Sequence, residues 1–291
     1  MSIILVSSAE DPAGTNIKNC LLEFSSWAEQ THFNNNPVYT HTKLKDVYLI
    51  TINDRTIRHE NLDKEIQQTL NIKPEQIIFL SRHRSKQGGP TLTVHPIGNY
   101  GDAEFGGRAR SLVPSSPFMM TQLLRLIKKK LQQTSLTYQV CFEVTHHGPF
   151  LETPTMFAEV GSTPEEWQKK EPAQVIAQAV IELLTTAYNE KELQNDTPVL
   201  VGVGGGHYAP RFTNIATEKN AAFGHMIPSY HIDAGNIDID MCKKTLEATP
   251  HVQSVYLHKK SLKKSQVTQF TKWFEAEGIT VISSTALSAL K

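Results

Sequence analysis

The stretch "LVGVGGGHYAPRFT", residues 200–213, joins an apolar run to three consecutive glycines, and a His-Tyr pair follows the glycines directly. An apolar run that ends in glycines and leads into a helical pattern is typical of a buried strand, a tight turn and a helix in an α/β protein. Three interpretations of the turn compete: a cradle for a phosphate, a catalytic or metal site, or a turn without a ligand. The rest of the chain has to distinguish them.

Short apolar runs alternate with helical patterns along the whole chain, which predicts an α/β sandwich with a mostly parallel or mixed central sheet. We expect residues 1–291 to form a single α/β globular unit; two interleaved subdomains that meet near residue 135 or 195 are the alternative. The predicted strands are residues 3–6, 46–52, 76–81, 91–95, 138–149, 155–162, 198–206, 253–258 and 279–284. The predicted helices are residues 15–30, 61–70, 116–132, 173–188, 238–248 and 261–277.

Composition disfavours several classes of protein. The 29 basic and 29 acidic residues balance, so the net charge identifies no partner. Cys20, Cys141 and Cys242 are far apart and form no Cys-x-x-Cys pair, which disfavours a disulfide framework or a cysteine-rich zinc site. The N-terminal apolar run is too short for a signal peptide, and no run approaches the ~20 residues of a membrane span. We therefore expect a cytoplasmic protein that does not cross a membrane.

Several histidines stand at the ends of predicted strands or in the loops that follow them. In an α/β sheet, ligands bind outside the carboxyl ends of the strands. Residues 96–117 are rich in Gly, Pro and Ser, and loops of that length inside a compact domain are often functional. We therefore expect one site to collect histidines from several stretches, namely His83, His95, His146, His147, His207 and His225.

The three glycines do not form a nucleotide-binding motif. Gly202 and Gly204 match the first two positions of Gly-x-Gly-x-x-Gly, but His207 occupies the third, and the Gly-Lys-Ser/Thr of a P-loop is absent. The amides of residues 204–206 could instead approach a phosphate or the oxyanion of an ester under attack. A tight turn without a ligand is the alternative.

The His146-His147 pair has two possible roles, a metal ligand or general base on the one hand and a purely structural role on the other. Adjacent side chains on a strand point to opposite faces, so usually only one of the two enters a given site. A catalytic zinc site needs three protein ligands and one open position, and the chain has no His-Glu-x-x-His. By residue type, the ligands could come from His83, His95, His146, His147, Glu159, His207, His225 and His231. The predicted ligands among these are His83, His95, His147, Glu159 and His207.

Basic residues favour a polyanionic partner. Lys128 and Lys129 belong to a lysine strip at the end of a predicted helix, and residues 258–264 form a second basic run. A lysine run is usually a solvated helix face, but two such runs beside loop arginines favour nucleic acid. The candidate phosphate contacts among the arginines are Arg82, Arg84, Arg108 and Arg211.

Several stretches taken together resemble the archaeal and plant type of D-aminoacyl-tRNA deacylase. The resemblance runs from residue 3 to about residue 230, and no distinctive block follows residue 232. The stretches that carry it are "DPAGTNI", "SRHRS", "LTVHPIGNYG", "FGG", "SPFMMTQLLR", "EVTHHGP", "EVGSTPEEW", "GVGGGHYAPRFT" and "GHMIPSY".

This resemblance implies hydrolysis of the ester that joins a D-amino acid to the terminal ribose of tRNA, which releases free D-amino acid and tRNA and so proofreads chirality. It also implies a Zn²⁺ cofactor, tRNA as the partner, and a phosphorylase-like or peptidyl-tRNA-hydrolase-like fold. We infer no obligate protein partner. Peptidyl-tRNA hydrolases have a strand, a glycine turn, a Tyr, an Arg and a His in a similar order. In this chain the three side chains are Tyr208, Arg211 and His225, and the likeness is an analogy of fold and order alone.

Ester hydrolysis needs an activated water, stabilisation of an oxyanion and a proton for the leaving hydroxyl. Two rival functions stay open: a zinc-dependent amidohydrolase or peptidase that acts on small substrates, and a non-catalytic tRNA-binding protein. For the hydrolase, the predicted catalytic groups are the side chains of His207, His146, His147 and His225 and the amides of Gly205 and Gly206.

Overall fold

Two large sheets flanked by helices, and a short two-stranded sheet of Gly98–Asn99 and Ser111–Leu112, make up the fold of the described residues. The computed structural model describes residues 1–85, 88–187 and 197–290. Its strands are β1 (Ile3–Ser8), β2 (Trp27–Phe33), β3 (Asn36–His41), β4 (Val47–Ile52), β5 (Gln76–Arg82), β6 (Thr91–His95), β7 (Gly98–Asn99), β8 (Ser111–Leu112), β9 (Gln139–Phe142), β10 (Thr155–Gly161), β11 (Val199–Val203), β12 (Ala222–Ile227), β13 (Val252–Leu257) and β14 (Thr280–Ile282). Its α-helices are α1 (Pro12–Phe24), α2 (Leu62–Leu70), α3 (Pro117–Leu131), α4 (Pro164–Trp167), α5 (Lys170–Ala187), α6 (Pro210–Glu218), α7 (Ser229–Asp233), α8 (Ile239–Glu247) and α9 (Lys264–Ala276).

The larger sheet has eight strands in the order β2-β3-β4-β1-β5-β10-β6-β9. Strands β4, β1, β5 and β10 run parallel, β6 is antiparallel to β10, and β9 is parallel to β6. The second sheet is parallel and has the order β12-β11-β13-β14. The predicted α/β fold with a mixed central sheet is confirmed, whereas the single unit over residues 1–291 stays a prediction.

The two faces of the eight-stranded sheet have different covers. Helices α1, α3 and α5 pack against one face, where Leu80 is fully buried. On the opposite face Phe79 and Phe157 stack with their ring centroids 4.7 Å apart. There α2 and loop residues such as Ile97 and Leu151 complete the core. This second face is the loop-covered face, and it carries the polar residues described below.

Helix α1 approaches the sheet closely because its first turn contains a glycine. A Cβ on Gly14 would lie only 2.3 Å from the carbonyl oxygen of Leu80. The side chain of Asp11 caps the helix by accepting from the Gly14 amide at 3.0 Å. It also accepts from the Ser81 hydroxyl and the Arg82 amide, both at 2.9 Å. Asp11 therefore fixes the end of β5 relative to α1.

Backbone hydrogen bonds join the two sheets beside the glycine turn. The amide of Val144 donates to the carbonyl of His207, and the amide of Ala209 donates to the carbonyl of Phe142, both at 3.0 Å. An antiparallel bridge pairs residues 143 and 208 between them. Residues 142–145 and 207–209, hereafter the seam, thus bring the segment after β9 against the segment after β11.

The first predicted helix is too long. The pattern predicts a helix over residues 15–30, but α1 ends at Phe24 and Trp27 begins β2. Strands β2 and β3 form a hairpin whose turn contains Asn34 and Asn35, with φ of 51° and 62°. Asn tolerates this left-handed region, so the Asn pair decides the local structure. The predicted strand 138–149 is also too long, since β9 ends at Phe142.

The predicted helix 173–188 corresponds to α5, and its predicted last residue, 188, lies outside the described residues. None of the described helices is both long enough and apolar enough to span a bilayer.

Candidate active site

Histidine and glutamate side chains meet between the eight-stranded sheet and the glycine turn. They come from the ends of β5 and β6, the interior of β10, the segment after β9 and the segment after β11. The His-Glu cluster consists of His83, His95, Glu143, His146, His147, Glu159 and His207.

Strand register places part of the cluster on the loop-covered face. Thr93 lies opposite Glu159 on β10 and opposite Cys141 on β9. Because side chains alternate between faces, His95 and Glu143, each two residues further on, share the face of Glu159. Strands β5 and β10 run opposite to β6 and β9, so the strand ends do not share one edge. The site therefore lies on the face of the sheet.

Glu143 is the central group of the cluster and is fully buried. Its Oε2 lies 2.8 Å from Nε2 of His207 and 3.4 Å from Nε2 of His146, and its Oε1 lies 3.1 Å from Nδ1 of His83. Burial alone would raise the pKa of the Glu143 carboxyl, but the imidazoles of His207 and His83 outweigh burial and hold this pKa well below its usual value. Glu143 is therefore a buried carboxylate that attracts positive charge.

Glu159 is a second buried carboxylate. Its Oε2 lies 3.6 Å from Nδ1 of His83 and 3.6 Å from Nε2 of His95. Burial opposes a charge on His83, yet Glu143 and Glu159 outweigh burial and raise the pKa of His83 to about 11. Glu159 likewise outweighs burial and raises the pKa of His95. The two carboxylates make the site favourable for positive charge, carried either by protons or by a metal ion.

Three imidazoles of the cluster, those of His95, His146 and His147, share one bonding pattern. In each ring Nδ1 lies within 3.1 Å of a backbone carbonyl oxygen, that of Pro96, Val144 and Gly148 respectively. A carbonyl oxygen only accepts, so each Nδ1 carries a proton and each neutral ring keeps its lone pair on Nε2. The ring centroids are 4.3–4.9 Å apart.

Two of these rings are neutral at pH 7. Burial, reinforced by the charge of His95, lowers the pKa of His147 to about 4 and holds the pKa of His146 well below its usual value. Histidine binds a metal ion only in its neutral form. The two rings are therefore in the protonation state that a metal ligand requires.

The donor set fits a metal ion. The ligand atoms of His95, His146 and His147 lie within 4.8 Å of one another. Within the described parts of the chain, Nε2 of His95 and both carboxylate oxygens of Glu143 are buried without a directional hydrogen bond, because the imidazoles near Glu143 are close but poorly aligned. Imidazole and carboxylate are ligands that Zn²⁺ takes, and a carbonyl on the other ring nitrogen typically orients such histidines.

A cavity of about 700 Å³ opens onto the cluster, and His83, His147 and His207 contribute to its wall. The side chain of His207 is 38% exposed, whereas that of Glu143 behind it is fully buried. A buried carboxylate that holds a histidine at a cavity wall is the arrangement of a general base and its orienting group. The other residues that line the cavity include Arg55, Arg82, Arg84, Phe105 and Trp167.

Known proteins share this sequence and fold. The family model described as D-aminoacyl-tRNA deacylase matches residues 70–282. The chain belongs to the D-aminoacyl-tRNA deacylase family. A D-aminoacyl-tRNA deacylase from Pyrococcus horikoshii is 41% identical over 229 residues, which cover 78% of this chain and 80% of the relative. A relative of the same name from Methanosarcina acetivorans is 32% identical over 289 residues, covering 98% and 93%.

A solved structure supports the fold of this deacylase family member. The crystal structure of a conserved protein of unknown function matches it with a TM-score of 0.87 at 31% sequence identity. The match covers 98% of this chain and 96% of that chain. The architecture described above is therefore also found in a related protein studied by crystallography.

Most of the predicted site residues of this deacylase family member lie together. Tyr208 joins them through its hydroxyl, which lies 3.0 Å from Nε2 of His83 and 3.3 Å from the hydroxyl of Ser162. The catalytic and metal-binding roles assigned from sequence stay predictions. The predicted residues in the His-Glu cluster or the cavity wall are His83, His95, His146, His147, Glu159, His207, Arg82 and Arg84.

The predicted catalytic role of His225 is not supported by its surroundings. His225 is fully buried on β12. Its Nε2 lies 2.9 Å from the carbonyl oxygen of Val113, and its Nδ1 lies 3.0 Å from the hydroxyl of Thr145. Both ring nitrogens therefore have partners within the core, and the ring serves to connect β12 to neighbouring segments.

The glycine turn is structural at two of its three amides. Gly204 donates to a backbone carbonyl at 2.8 Å, and Gly205 donates to the hydroxyls of Ser229 and Ser261, both at 2.9 Å. The φ angles of Gly204 and Gly205 are 101° and 93°, a region that favours glycine. The predicted oxyanion role of Gly205 is therefore not supported, because its amide is already bound. Gly206 is exposed and stays a candidate.

Two arginines predicted to contact tRNA have structural partners instead. The guanidinium of Arg108 lies 3.8 Å from the ring centroid of Phe150. Arg211 donates to the hydroxyls of Tyr256 and Ser284 at 2.8 and 2.9 Å, which ties α6 to the second sheet. Neither is among the described residues that line the cavity.

The predicted lysine contacts to tRNA also lie elsewhere. Lys128 and Lys129 occupy the last turn of α3. Lys128 donates to the hydroxyl of Thr217 at 3.3 Å, and Lys129 pairs with Glu182 at 2.9 Å. Within the described chain neither residue belongs to the cavity wall, so the solvated helix face is the better interpretation of this strip.

Sequence reasoning missed Glu143, Arg55 and Phe105. Glu143 lies in the stretch that contains His146 and His147, and a carboxylate directly after a buried strand was the available signal. Arg55 and Phe105 lie in loops whose course only the fold defines. No periodic pattern in the sequence indicates that these two residues meet at one cavity.

Proposed function

We propose that this protein hydrolyses the ester between a D-amino acid and the terminal ribose of tRNA, and so releases free D-amino acid and tRNA. The observation that carries the proposal is the His-Glu cluster in the wall of a cavity that arginines also line. Relatives across much of the chain length bear the name of this activity. Such a reaction proofreads the chirality of aminoacyl-tRNA, and we propose the cytoplasm as its compartment.

We further propose that the protein uses zinc and that His95, His146 and His147 hold it. The lone pairs on Nε2 of the neutral His146 and His147 rings, the buried Nε2 of His95 that lacks a hydrogen bond, and the compact arrangement of the three rings support this choice. A zinc ion bound there supplies a Lewis acid for the ester carbonyl and acidifies water. The negative charge of Glu143 and Glu159 beside the three histidines favours retention of a cation.

His207 serves as the general base in this proposal. Oε2 of Glu143 lies 2.8 Å from Nε2 of His207, so in this proposal Nε2 carries the proton of the neutral ring and Nδ1 keeps the lone pair. That nitrogen accepts a proton as water attacks the ester carbonyl. The resulting imidazolium, stabilised by Glu143, then returns the proton to the ribose oxygen as the ester bond breaks.

Arginines beside the cavity suit a phosphate backbone. Arg82 donates to the carbonyl of Glu10 at 3.0 Å, and its guanidinium lies 5.1 Å from the ring centroid of Trp167, so it is held in place. Arg84 is exposed, and Arg55 is exposed with a long contact of 3.6 Å to Glu10. We propose that Arg55, Arg82 and Arg84 bind phosphates near the 3′ end of tRNA.

The proposal is tested by incubating the protein with D- and L-aminoacyl-tRNA, each with and without a chelator. We expect rapid deacylation of the D form, much slower deacylation of the L form, and loss of activity with the chelator. Equal rates on both enantiomers would contradict the assignment. Activity confined to small amides or esters would indicate the amidohydrolase, and tRNA binding without turnover would indicate a binding protein.

A further inference from the structure

Phe105 is a large apolar side chain held in solvent beside the cavity. It is 62% exposed, the highest value among the large hydrophobic side chains in the described residues. It also belongs to the cavity wall, together with His147 and His207. A single exposed apolar residue is common on protein surfaces, so its exposure needs a second observation to be informative.

The second observation is that the backbone around Phe105 is fixed. The turn at residues 104–107 is bound on both sides of the ring, so its exposure does not come from a loose loop. The carbonyl of Phe105 accepts from the Gly148 amide at 3.2 Å, directly after His147. Arg58 donates to the carbonyl oxygen of Glu104 at 3.1 Å, and Asn99 donates to that of Gly106 at 2.9 Å. The amide of Gly107 donates to the carboxylate of Glu60 at 2.6 Å.

Glycine allows this turn to pack tightly. A Cβ on Gly106 would lie 1.7 Å from the carbonyl oxygen of Ile57, so no larger residue fits without displacement. Gly106 and Gly107 also have positive φ, 83° and 81°. The turn thus holds the backbone of Phe105 next to the segment that carries His147.

The neighbours of Phe105 indicate what the ring contacts. The cavity wall combines the exposed ring of Phe105 with the guanidinium groups of Arg55, Arg82 and Arg84, whereas the ring of Trp167, which also lines the cavity, is buried. A nucleotide presents the matching chemistry, because a base has a π face and its phosphate is an anion. In an aminoacyl ester of tRNA, the base of the terminal nucleotide is attached to the same ribose that carries the ester. A base at Phe105 would therefore accompany an ester at the His-Glu cluster.

We propose that Phe105 stacks on the nucleobase of the 3′-terminal nucleotide of tRNA and so positions the ester, an inference that rests on the proposed function. An aromatic ring that stacks on a base contributes about 5- to 150-fold in affinity. Phe105 is then a positioning residue that recognises the nucleic acid end of the substrate, while the cluster recognises the ester.

The test is a binding cycle that needs no turnover. Dissociation constants are measured for intact uncharged tRNA and for tRNA that lacks its 3′-terminal nucleotide, with the wild type, Phe105→Ala and Phe105→Tyr. Phe24→Ala, which removes another exposed phenyl ring, is the matched control. We expect truncation of the tRNA to weaken binding to the wild type, to Phe105→Tyr and to Phe24→Ala by about 5- to 150-fold, and to have little effect on binding to Phe105→Ala.

A penalty for truncation that is equally large in Phe105→Ala would overturn the stacking. So would equal binding of both tRNAs by the wild type. A second measurement compares D-aminoacyl-tRNA with the 2-hydroxyethyl ester of the same D-amino acid, which has no base. We expect Phe105→Ala to lower kcat/KM for the tRNA alone, and an equal loss on both esters would show that the ring contacts the amino acid. Absence of deacylation by the wild type would contradict the proposed function, while the binding cycle would still test the stacking.

Discussion

Oε2 of Glu143 lies 2.8 Å from Nε2 of His207, and the two residues come from segments that follow strands of different sheets. The carboxylate is fully buried and the imidazole reaches the cavity. The backbone pairing of the seam sets this distance, because Val144 donates to the carbonyl of His207 itself. The fold therefore brings the two residues together, and their side-chain rotamers are not the only cause of the short distance.

Replacing His207 by Ala removes the proposed base. We expect His207→Ala to reduce kcat by about 10²–10⁴-fold, the range for loss of acid–base help, with a change in the free energy of unfolding that is small for a partly exposed residue. Glu143→Gln should also lower kcat, because an amide stabilises the imidazolium less well. Single-turnover deacylation and urea unfolding provide the two measurements. Wild-type turnover in His207→Ala would remove His207 from the reaction centre.

Replacing His147 tests the zinc ligands. We expect His147→Ala to bind zinc at least about tenfold more weakly, since even outer contacts of metal ligands are worth 10–100-fold. His225→Gln, which alters another buried histidine, is the control and should keep its metal. Metal content is measured by mass spectrometry after dialysis against a chelator of known affinity. Equal metal content in both variants and the wild type would contradict the proposed ligand set.

Replacing Arg84 tests the tRNA surface. We expect Arg84→Ala to weaken tRNA binding and to reduce the slope of log K against log salt by roughly 0.7–0.9 for each phosphate that the variant no longer neutralises. Lys129→Ala removes one positive charge that pairs with Glu182, and should leave that slope unchanged. Titrations at several salt concentrations give both slopes. A larger effect of Lys129→Ala would move the tRNA surface to the end of α3.

His225 should make stability depend on pH. Burial lowers its pKa to about 4 in the folded state, whereas the unfolded chain has the ordinary value of 6.5. The unfolded state therefore binds the proton first, so stability is complete above pH 6.5 and is lost as the pH falls towards 4. The shift corresponds to about 3 kcal/mol.

We expect His225→Gln to flatten this part of the pH profile, at a cost of roughly 1–3 kcal/mol at pH 7 from unsatisfied partners. Urea unfolding at pH 7, 6, 5 and 4.5 compares the variant with the wild type. The same pH dependence in both proteins would show that other groups control acid stability. The kcat of the folded variant at pH 7 should be near that of the wild type, because His225 lies in the core.

Neighbouring glycines should respond differently to alanine. Gly205 has a φ of 93°, so Gly205→Ala should cost roughly 1–2 kcal/mol of unfolding free energy through backbone strain. A Cβ on Gly206 meets no atom within 4 Å, and Gly206→Ala should change stability little. Thermal unfolding of the two variants measures the contrast. Similar losses for both would mean that φ does not determine the cost.

Much of the architecture was predictable because burial patterns are local. The strands at Ile3–Ser8, Gln76–Arg82 and Val199–Val203 have apolar runs and lie buried as expected. The hairpin at Trp27–His41 was missed because the helical pattern continues to residue 30, whereas α1 ends at Phe24 and the chain reverses at Asn34-Asn35. The direction of β6 relative to β10 depends on strand pairing, which a single sequence does not encode locally.

The site was predictable in its residue types and less so in its roles. The expectation that histidines after strands would meet places His83 and His207 in one cluster, as the structure shows, while their roles stay predictions. The same expectation included His225, which lies outside the cluster and has two partners inside the core. Arg211 was predicted to contact tRNA, and its guanidinium donates to the neighbouring hydroxyls of Tyr256 and Ser284. Burial and partners of a polar group follow from the tertiary fold and are invisible in spacing.

The seam brings the proposed base to the His-Glu cluster late in protein synthesis. His83, His95, Glu143, His146, His147 and Glu159 all precede the end of β10, whereas His207 follows β11. A chain still attached to the ribosome therefore presents the three proposed zinc-binding histidines before the proposed base has emerged. Only when residues 207–209 pair with residues 142–145 does His207 join His83 and His146 beside Glu143. If His207 is the base, we expect the chain to become active only when the second sheet has docked.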